Sequence, residues 1–492
     1  MKALLVYPKY PDTFWSFKRT LEQFTDELAA FPPLGLLTVG AMLPKDWRVK
    51  LVDMNVKELT DGHICWADIV FVSAMLAQAR SAQETILRCK EAGKVVVVGG
   101  PAFTACHERF SEFDHVICGE AEEILPVFLK DLESGSAGKI YIPPKKPDIK
   151  ETPVPLWSLI DFSDYATMPL QFSRGCPFDC EFCDIIVMYG RRQRTKTPEQ
   201  MICEFQSLFD AGWRGSVFVV DDNLIGNIKK VKEMLRRLIE WQKRSGYPFK
   251  LITEASINLA DDEELLRLMV EANFHEVFVG IETVGKSSLE ECGKSQNLKR
   301  NLVEAVKTIH RHGLQVMGGF ILGFDNDDPE TVFEDTTNFI QETGIVTAMV
   351  GLLNALPGTR LWKRLEKEGR LISEDAIRGE NTDGDTNIVP LMGKGKLIRG
   401  YKKVIAAIYS PQLYYDRVNT MLEDLLPAAH GKISARETKI FLRSLWKIGV
   451  LSKDRRLLFW KTLLSSGRKF PVAVKHAVFG EHLQEFAKRF KD

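Results

Sequence analysis

Residues 172–184 read FSRGCPFDCEFCD and place three of the chain's nine cysteines within eight positions, as Cys176-x-x-x-Cys180-x-x-Cys183. The others, Cys65, Cys89, Cys106, Cys118, Cys203 and Cys292, lie singly. That scatter argues against a disulfide framework and for a reducing cytosol, where isolated thiols serve as small core residues. Three closely spaced thiolates can hold a metal, but a structural zinc site closes with four Cys or His ligands, and His275, His310 and His312 lie far along the chain. Three thiolates suit a [4Fe-4S] cluster in which one iron keeps an open position. Zinc and plain core packing are the alternatives.

The surroundings of this loop are α/β in pattern. From 161 to 370, apolar strand-like runs (LQFSRG, SVFVVDDN, FKLITEAS, EVFVGIET, VMGGFILGF, AMVGLLNAL) alternate with helical stretches. One helix opens at Thr197-Pro198-Glu199-Gln200, with an N-cap, a first-position proline and a capping-box glutamine. Six such units predict a partial (β/α)6, TIM-like barrel, whose active site lies at the carboxyl ends of its strands. Cys176 follows the first of them.

Residues 1–145 repeat buried runs (ALLVYP, VKLVDMN, DIVFVSAM, KVVVVGGP, HVICGE) between helices, which predicts a doubly wound, Rossmann-like parallel sheet. Ligands of such sheets sit beyond the carboxyl ends, where Asp53, Asn55, Ser73, Gly99, Gly100 and Glu120 fall. Neither G-x-G-x-x-G nor a P-loop is present. A Pro- and Lys-rich stretch, YIPPKKPDIKETPVPLW at 141–157, reads as an extended linker, with the connection between domains set at 146–160. Residues 371–492 read as a mostly helical domain, with a Ser434-x-x-Glu437 capping box and a stop at Gly467.

Composition is ordinary for a soluble protein, at 45% hydrophobic and 27% charged residues. The first residues read as a strand rather than a signal peptide, and no apolar run is long enough to span a bilayer, so a cytoplasmic protein is expected. Net charge is zero, yet residues 431–492 carry 15 Lys and Arg against 5 Asp and Glu. KIFLRSLWKIGVLSKDRRLLFWKTLL combines Phe441, Leu445, Trp446 and Ile448 with Arg443, Lys447, Arg455, Arg456 and Lys461. Such a stretch predicts either peripheral contact with the anionic inner membrane surface or helices packed on the barrel with their charge facing water.

CPFDCEFC resembles the signature loop of the radical SAM enzymes. The resemblance implies a cluster on Cys176, Cys180 and Cys183, with Phe182 beside it, whose open iron chelates S-adenosylmethionine. Reductive cleavage, fed by a ferredoxin- or flavodoxin-type donor, would then yield a 5′-deoxyadenosyl radical. VVDDNLIG stands where many members carry Gly-Gly-Glu, which implies ammonium contacts from Asp221, Asp222 and Asn223. Glu254 and Glu282 fall at the family's ribose positions, and Gly319, Ile321 and Gly323 match its Gly-x-Ile-x-Gly adenine contact, with Asn326 where an acid is expected.

The first domain resembles the cobalamin-binding domain of a large subclass. Asp53-Met54-Asn55 stands where that domain carries Asp-x-His, while Ser73, Gly99, Gly100 and Glu120 complete the implied cobalamin set. An amide is a poor cobalt ligand, so the lower face is expected to lack a histidine ligand. Over nearly the whole chain, through MYGRRQRTKTPEQ and LNALPGTRLWKRL, the sequence is similar to the class B radical SAM methylases of hopanoid ring A and of bacteriochlorophyll side chains. That likeness implies methyl transfer from methylcobalamin to an unactivated carbon of a polycyclic apolar lipid or tetrapyrrole, with no nucleic acid partner. It also implies a C-terminal lid, for which Tyr401, Tyr409, Tyr414, Tyr415, Trp446 and Trp460 are candidates, with plain core packing as the alternative for these rings. The alternatives are an oxidative cyclase of the Mg-protoporphyrin monomethyl ester type, a non-catalytic cobalamin sensor, and a Rossmann-like domain without a cofactor.

Overall fold

Strands β1 (Lys2–Tyr7), β2 (Arg48–Asp53), β3 (Ile69–Ser73), β4 (Val95–Gly99), β5 (His115–Ile117) and β6 (Ile140–Tyr141) form one sheet in the order β2-β1-β3-β4-β5-β6. All pairs are parallel. The computed structural model describes residues 1–372, 381–427 and 433–490. Runs such as Val95–Gly99 are β-branched because both faces of this sheet are covered by helices. Strand order reverses between β1 and β3, which opens a crevice at the carboxyl ends, where Tyr7, Asp53 and Ser73 stand.

The second sheet has six parallel strands: β7 (Thr167–Leu170), β10 (Gly215–Val219), β11 (Phe249–Ala255), β12 (Phe274–Glu282), β13 (Gln315–Leu322) and β14 (Ala348–Leu352), in the order β14-β13-β12-β11-β10-β7. This is the expected partial barrel. LQFSRG is not one strand, however. The chain breaks after Leu170, and β8 (Ser173–Arg174) pairs antiparallel with β9 (Arg194–Thr195), making a neck from which the cysteine loop hangs.

Alternation on β11 leaves Lys250, Ile252 and Glu254 on one face and buries Leu251, Thr253 and Ala255 on the other. The segment after β1 crosses to the barrel. Trp15 packs edge-on against Phe278, 5.5 Å between centroids, and its Nε1 donates to the Met349 sulfur at 3.0 Å. Phe31 approaches Phe218 at 6.3 Å. The two α/β units therefore share one apolar core.

The linker is bonded throughout. Gln200 caps no helix with its side chain; its Nε2 donates instead to the carbonyls of Ile149, Lys150 and Thr152, while Thr197 alone receives the Gln200 N–H. The C-terminal helices meet the amino-terminal ends of the barrel strands: Lys250 pairs with Glu437, Glu276 with Lys475, and Gln315 Oε1 accepts from His476 Nε2 at 2.9 Å. Of the two readings of the C-terminal aromatics, lid and core, the structure shows core packing for the tyrosines. Tyr401, Tyr409, Tyr414 and Tyr415 are buried, and the hydroxyls of the first three donate to the carbonyls of Thr382, Ala348 and His476. Trp460 donates to the Gly449 carbonyl, and Trp446 points to solvent. These rings hold helices together rather than covering the carboxyl ends of the strands.

Candidate active site

The cysteine loop begins in a forced turn. Gly175 has φ +92°, and a Cβ there would meet the Gly190 carbonyl at 2.8 Å, so only glycine fits. Cys176 receives an N–H···S contact from Asn223 Nδ2 at 3.7 Å, and the Cys183 N–H donates to the Cys180 carbonyl at 3.2 Å. Burial raises the thiols of Cys180 and Cys183. A cluster bound here would take these groups as thiolates and release their protons. Cubane ligands sit on separate irons and do not converge on one point; among the described residues no three His, Cys, Asp or Glu side chains do so. Phe182 packs 6.0 Å from Phe324 and closes one side of the loop.

The acids around the loop divide by what they already hold. Asp221 is fully buried, and its carboxylate accepts from the Phe172 N–H at 2.7 Å and from the Ser173 hydroxyl. It braces the neck of the loop, and both its oxygens are engaged, which corrects its expected role as an ammonium contact. Asp222 Oδ2 is buried without a partner, and burial, then the Asp221 charge, pushes its carboxyl up to about 7. Burial, then the charges of Asp222 and Asp221, pushes Glu254 up to about 8. Asn223 Oδ1 accepts from Ser256. Acids held uncharged by burial are poised for a cation to restore their charge.

Glu282 ends β12 in a left-handed conformation (φ +67°) beside a register shift and pairs with Lys294 at 2.6 Å, both side chains nearly buried. Its carboxylate is thus engaged by a residue the sequence reading overlooked. The Lys294 segment lies on the cysteine loop, with the Glu181 N–H donating to the Cys292 carbonyl at 2.8 Å. Gly319 faces Phe278, where a Cβ would lie 2.8 Å from the ring, and Ile321 packs with Phe324. Gly323 (φ +109°) donates its N–H to Asp327 at 2.9 Å. Asp327, one residue beyond Asn326, also accepts from the Phe324 N–H and the Ser288 hydroxyl and so holds this turn.

In the first domain, Gly100 has φ +89°, and a Cβ there would lie 2.5 Å from the Ser73 Oγ. Gly99 pairs with Ser73 across β3 and β4. Beside them a narrow apolar cavity of about 60 Å³ is lined by Leu36, Val39, Phe71, Val97 and Leu125.

Asn55 does not reach toward a metal. Its Oδ1 accepts from the Tyr10 N–H at 2.8 Å, and its Nδ2 donates to Asp53 at 2.7 Å and to the Pro8 carbonyl. Asp53, also bonded by Tyr165, is fully buried, and Met54 packs inward against Thr85.

Glu120 is corrected outright. Its side chain, 2% exposed, accepts from Arg174 at 2.7 Å and from Arg194 at 2.7 and 2.9 Å. Glu122 takes the other arm of Arg174 at 2.8 Å. Arg174 and Arg194 lie on β8 and β9, so the first domain grips the neck of the cysteine loop, and nothing of Glu120 is left for a cofactor.

A cluster loop at the carboxyl ends of a half-barrel, clamped to a doubly wound domain with a glycine-lined slot, defines a two-cofactor enzyme of the radical SAM class. The radical SAM superfamily matches residues 170–337, the B12 binding domain residues 29–129, and a domain of unknown function (DUF4070) residues 359–492. An uncharacterized methyltransferase of Synechocystis sp. is 40% identical over 97% of this chain and 90% of its own length. The hopanoid C-2 methylase of Rhodopseudomonas palustris is 36% identical over 94% of this chain and 89% of its own. The cobalamin-dependent S-adenosylmethionine radical enzyme OxsB, solved with aqua-cobalamin, shares the fold at a TM-score of 0.64 and 16% identity, covering 99% of this chain and 80% of that one. The chain belongs to the cobalamin-dependent radical SAM methyltransferases.

Proposed function

We propose that the enzyme methylates an unactivated carbon of a polycyclic apolar lipid of the hopanoid type. The single observation that carries this reading is the 36% identity, over 94% of the chain, to a protein named hopanoid C-2 methylase. The apolar wall made by Trp15, Phe218, Phe278 and Met349 supports it, since a flat hydrocarbon gains most from aromatic and thioether surface. When bound, the [4Fe-4S] cluster, S-adenosylmethionine and cobalamin supply a hydrogen-abstracting radical and a transferable methyl group, given electrons from a ferredoxin- or flavodoxin-type donor.

The chain's own residues bind, orient and exclude. Cys176, Cys180 and Cys183 hold the cluster. Asp222, with its orphan oxygen, meets the methionine ammonium, while Asn223 ties Ser256 to Cys176; Glu254 meets the ribose; Gly319, Ile321 and Gly323 leave room for the adenine. Ser73, Gly99 and Gly100 would line the cobalamin site, and Asn55, with its amide committed to Tyr10, Pro8 and Asp53, would offer the cofactor no free group. Lys294 and Glu282 supply a fixed charge pair beside the cluster loop.

The test is anaerobic incubation of cluster- and cobalamin-loaded enzyme with methyl-labelled S-adenosylmethionine and either a hopanoid or a chlorin. A labelled methyl group attached to a ring carbon of the hopanoid is expected. Label in the chlorin alone assigns a tetrapyrrole substrate instead, and an oxidised, unlabelled chlorin assigns a cyclase.

A further inference from the structure

Twenty-two large apolar side chains are exposed among the described residues, and six of them, Leu442, Trp446, Val450, Leu451, Leu457 and Leu464, fall within 23 positions. Leu457 and Leu464, at 78% and 80%, are the most exposed of all. They belong to a hairpin made of the Ala435–Trp446 helix, a π-helical turn at Lys447–Leu451 and the Arg456–Ser465 helix.

Helical spacing places Leu442, Trp446 and Val450 on one face, at i, i+4 and i+8, and Leu457, Lys461 and Leu464 on another, at i, i+4 and i+7. The two faces adjoin, because Trp460, from the second, donates its Nε1 to the Gly449 carbonyl at 2.9 Å. Of the apolar residues the sequence singles out here, Ile448 is buried and Phe441 and Leu445 pack inward, so only Trp446 is presented.

The charge on this hairpin selects what covers it. Arg443 pairs with Asp26 at 2.9 Å, Arg455 with Glu481 at 2.8 Å, and Lys447 lies over the Phe24 ring at 5.6 Å. Lys453, Arg456, Lys461 and Arg468 are exposed and have no carboxylate within ion-pair distance among the described residues, while Asp454 is the single acid between Lys447 and Lys469. A second copy of the chain seated on this face would set these cations against themselves. An anionic lipid surface takes both features, burying the leucines and tryptophan among acyl chains while the four cations meet headgroups.

We propose that this hairpin docks the enzyme on anionic membranes as a peripheral contact; among the described residues no helix is long and apolar enough to cross one. The inference does not rest on the substrate's identity, although a bilayer-held hopanoid would come within reach by it.

The experiment uses the full, cluster- and cobalamin-loaded chain and two vesicle types, pure phosphatidylcholine and phosphatidylcholine with about a third phosphatidylglycerol. Sedimentation with the anionic vesicles alone at low salt is expected, with release at high salt as screening requires. Leu457→Ser with Leu464→Ser, and separately Arg456→Glu with Lys461→Glu, should each weaken partitioning at least about tenfold. Neither pair has a packing role, so iron and cobalamin content should stay at wild-type levels. No sedimentation with anionic vesicles at low salt overturns the proposal. So does binding that both paired variants leave intact, or self-association of the wild type that the leucine pair abolishes.

Discussion

Removing the Glu120 carboxylate should loosen the cysteine loop from the cobalamin domain without touching either cofactor. One buried carboxylate receives three guanidinium N–H groups at 2.7–2.9 Å, two of them from Arg194 and one from Arg174. Breaking a buried pair by deleting one partner costs about 3–5 kcal/mol. Here the loss falls at the low end, because Arg174 keeps Glu122 at 2.8 Å and Arg194 keeps the Pro147 carbonyl at 2.7 Å. A cost of about 3 kcal/mol shifts the docked-to-released ratio roughly 150-fold. Hydrogen exchange over residues 173–195 reads this directly and should accelerate by about that factor in Glu120→Ala. Glu120→Gln should fall between, since an amide keeps one acceptor but places its N–H₂ against a guanidinium. A double-mutant cycle with Arg194→Gln should show strong coupling. Exchange in Glu120→Ala within about threefold of wild type, with no coupling in the cycle, would refute the clamp.

Cys180→Ala, assayed on anaerobically prepared protein, should lose cluster iron and cleavage of S-adenosylmethionine together; zinc in place of iron in the wild type would end the cluster assignment. Gly100→Ala should sharply reduce cobalamin retention, since its Cβ would lie 2.5 Å from Ser73 Oγ on a backbone at φ +89°. Asn55→Ala should by contrast leave the cobalt spectrum base-off and unchanged, and a histidine nitrogen splitting in the Co(II) resonance spectrum would contradict that. Because Asp222 and Glu254 are raised to about 7 and 8, protein without S-adenosylmethionine should lose stability as pH climbs from the ordinary carboxylate range through 8. Binding of the cationic cosubstrate should then release protons between pH 6 and 8, and equal calorimetric heats in buffers of different ionisation enthalpy would rule this out.

The sequence by itself determined the elements and the chemistry carried by local spacing. Buried β-branched runs separated by helices define both parallel sheets, and the spacing of Cys176, Cys180 and Cys183 marks the loop as the candidate cluster site. Glycines at strand ends, Gly99 and Gly100 among them, were legible because close backbone approach tolerates little else. Strand position does not disclose what a carboxylate already holds.

Asp221 and Asp222 are neighbours of one type, yet the first is spent on the Phe172 N–H and the Ser173 hydroxyl and the second keeps one buried oxygen without a partner. Glu120 lies at the carboxyl end of the first sheet like a ligand-binding residue, and only the arrival of Arg174 and Arg194, 54 and 74 positions later, commits it to the clamp. The C-terminal aromatics follow the same logic. Whether a tyrosine becomes core or lid depends on which carbonyl meets its hydroxyl, and those of Ala348 and His476 lie 61 and 62 positions away. Periodicity is a property of neighbours along the chain and can be read there, whereas the saturation of a polar group is a property of neighbours in space, which only the tertiary structure decided.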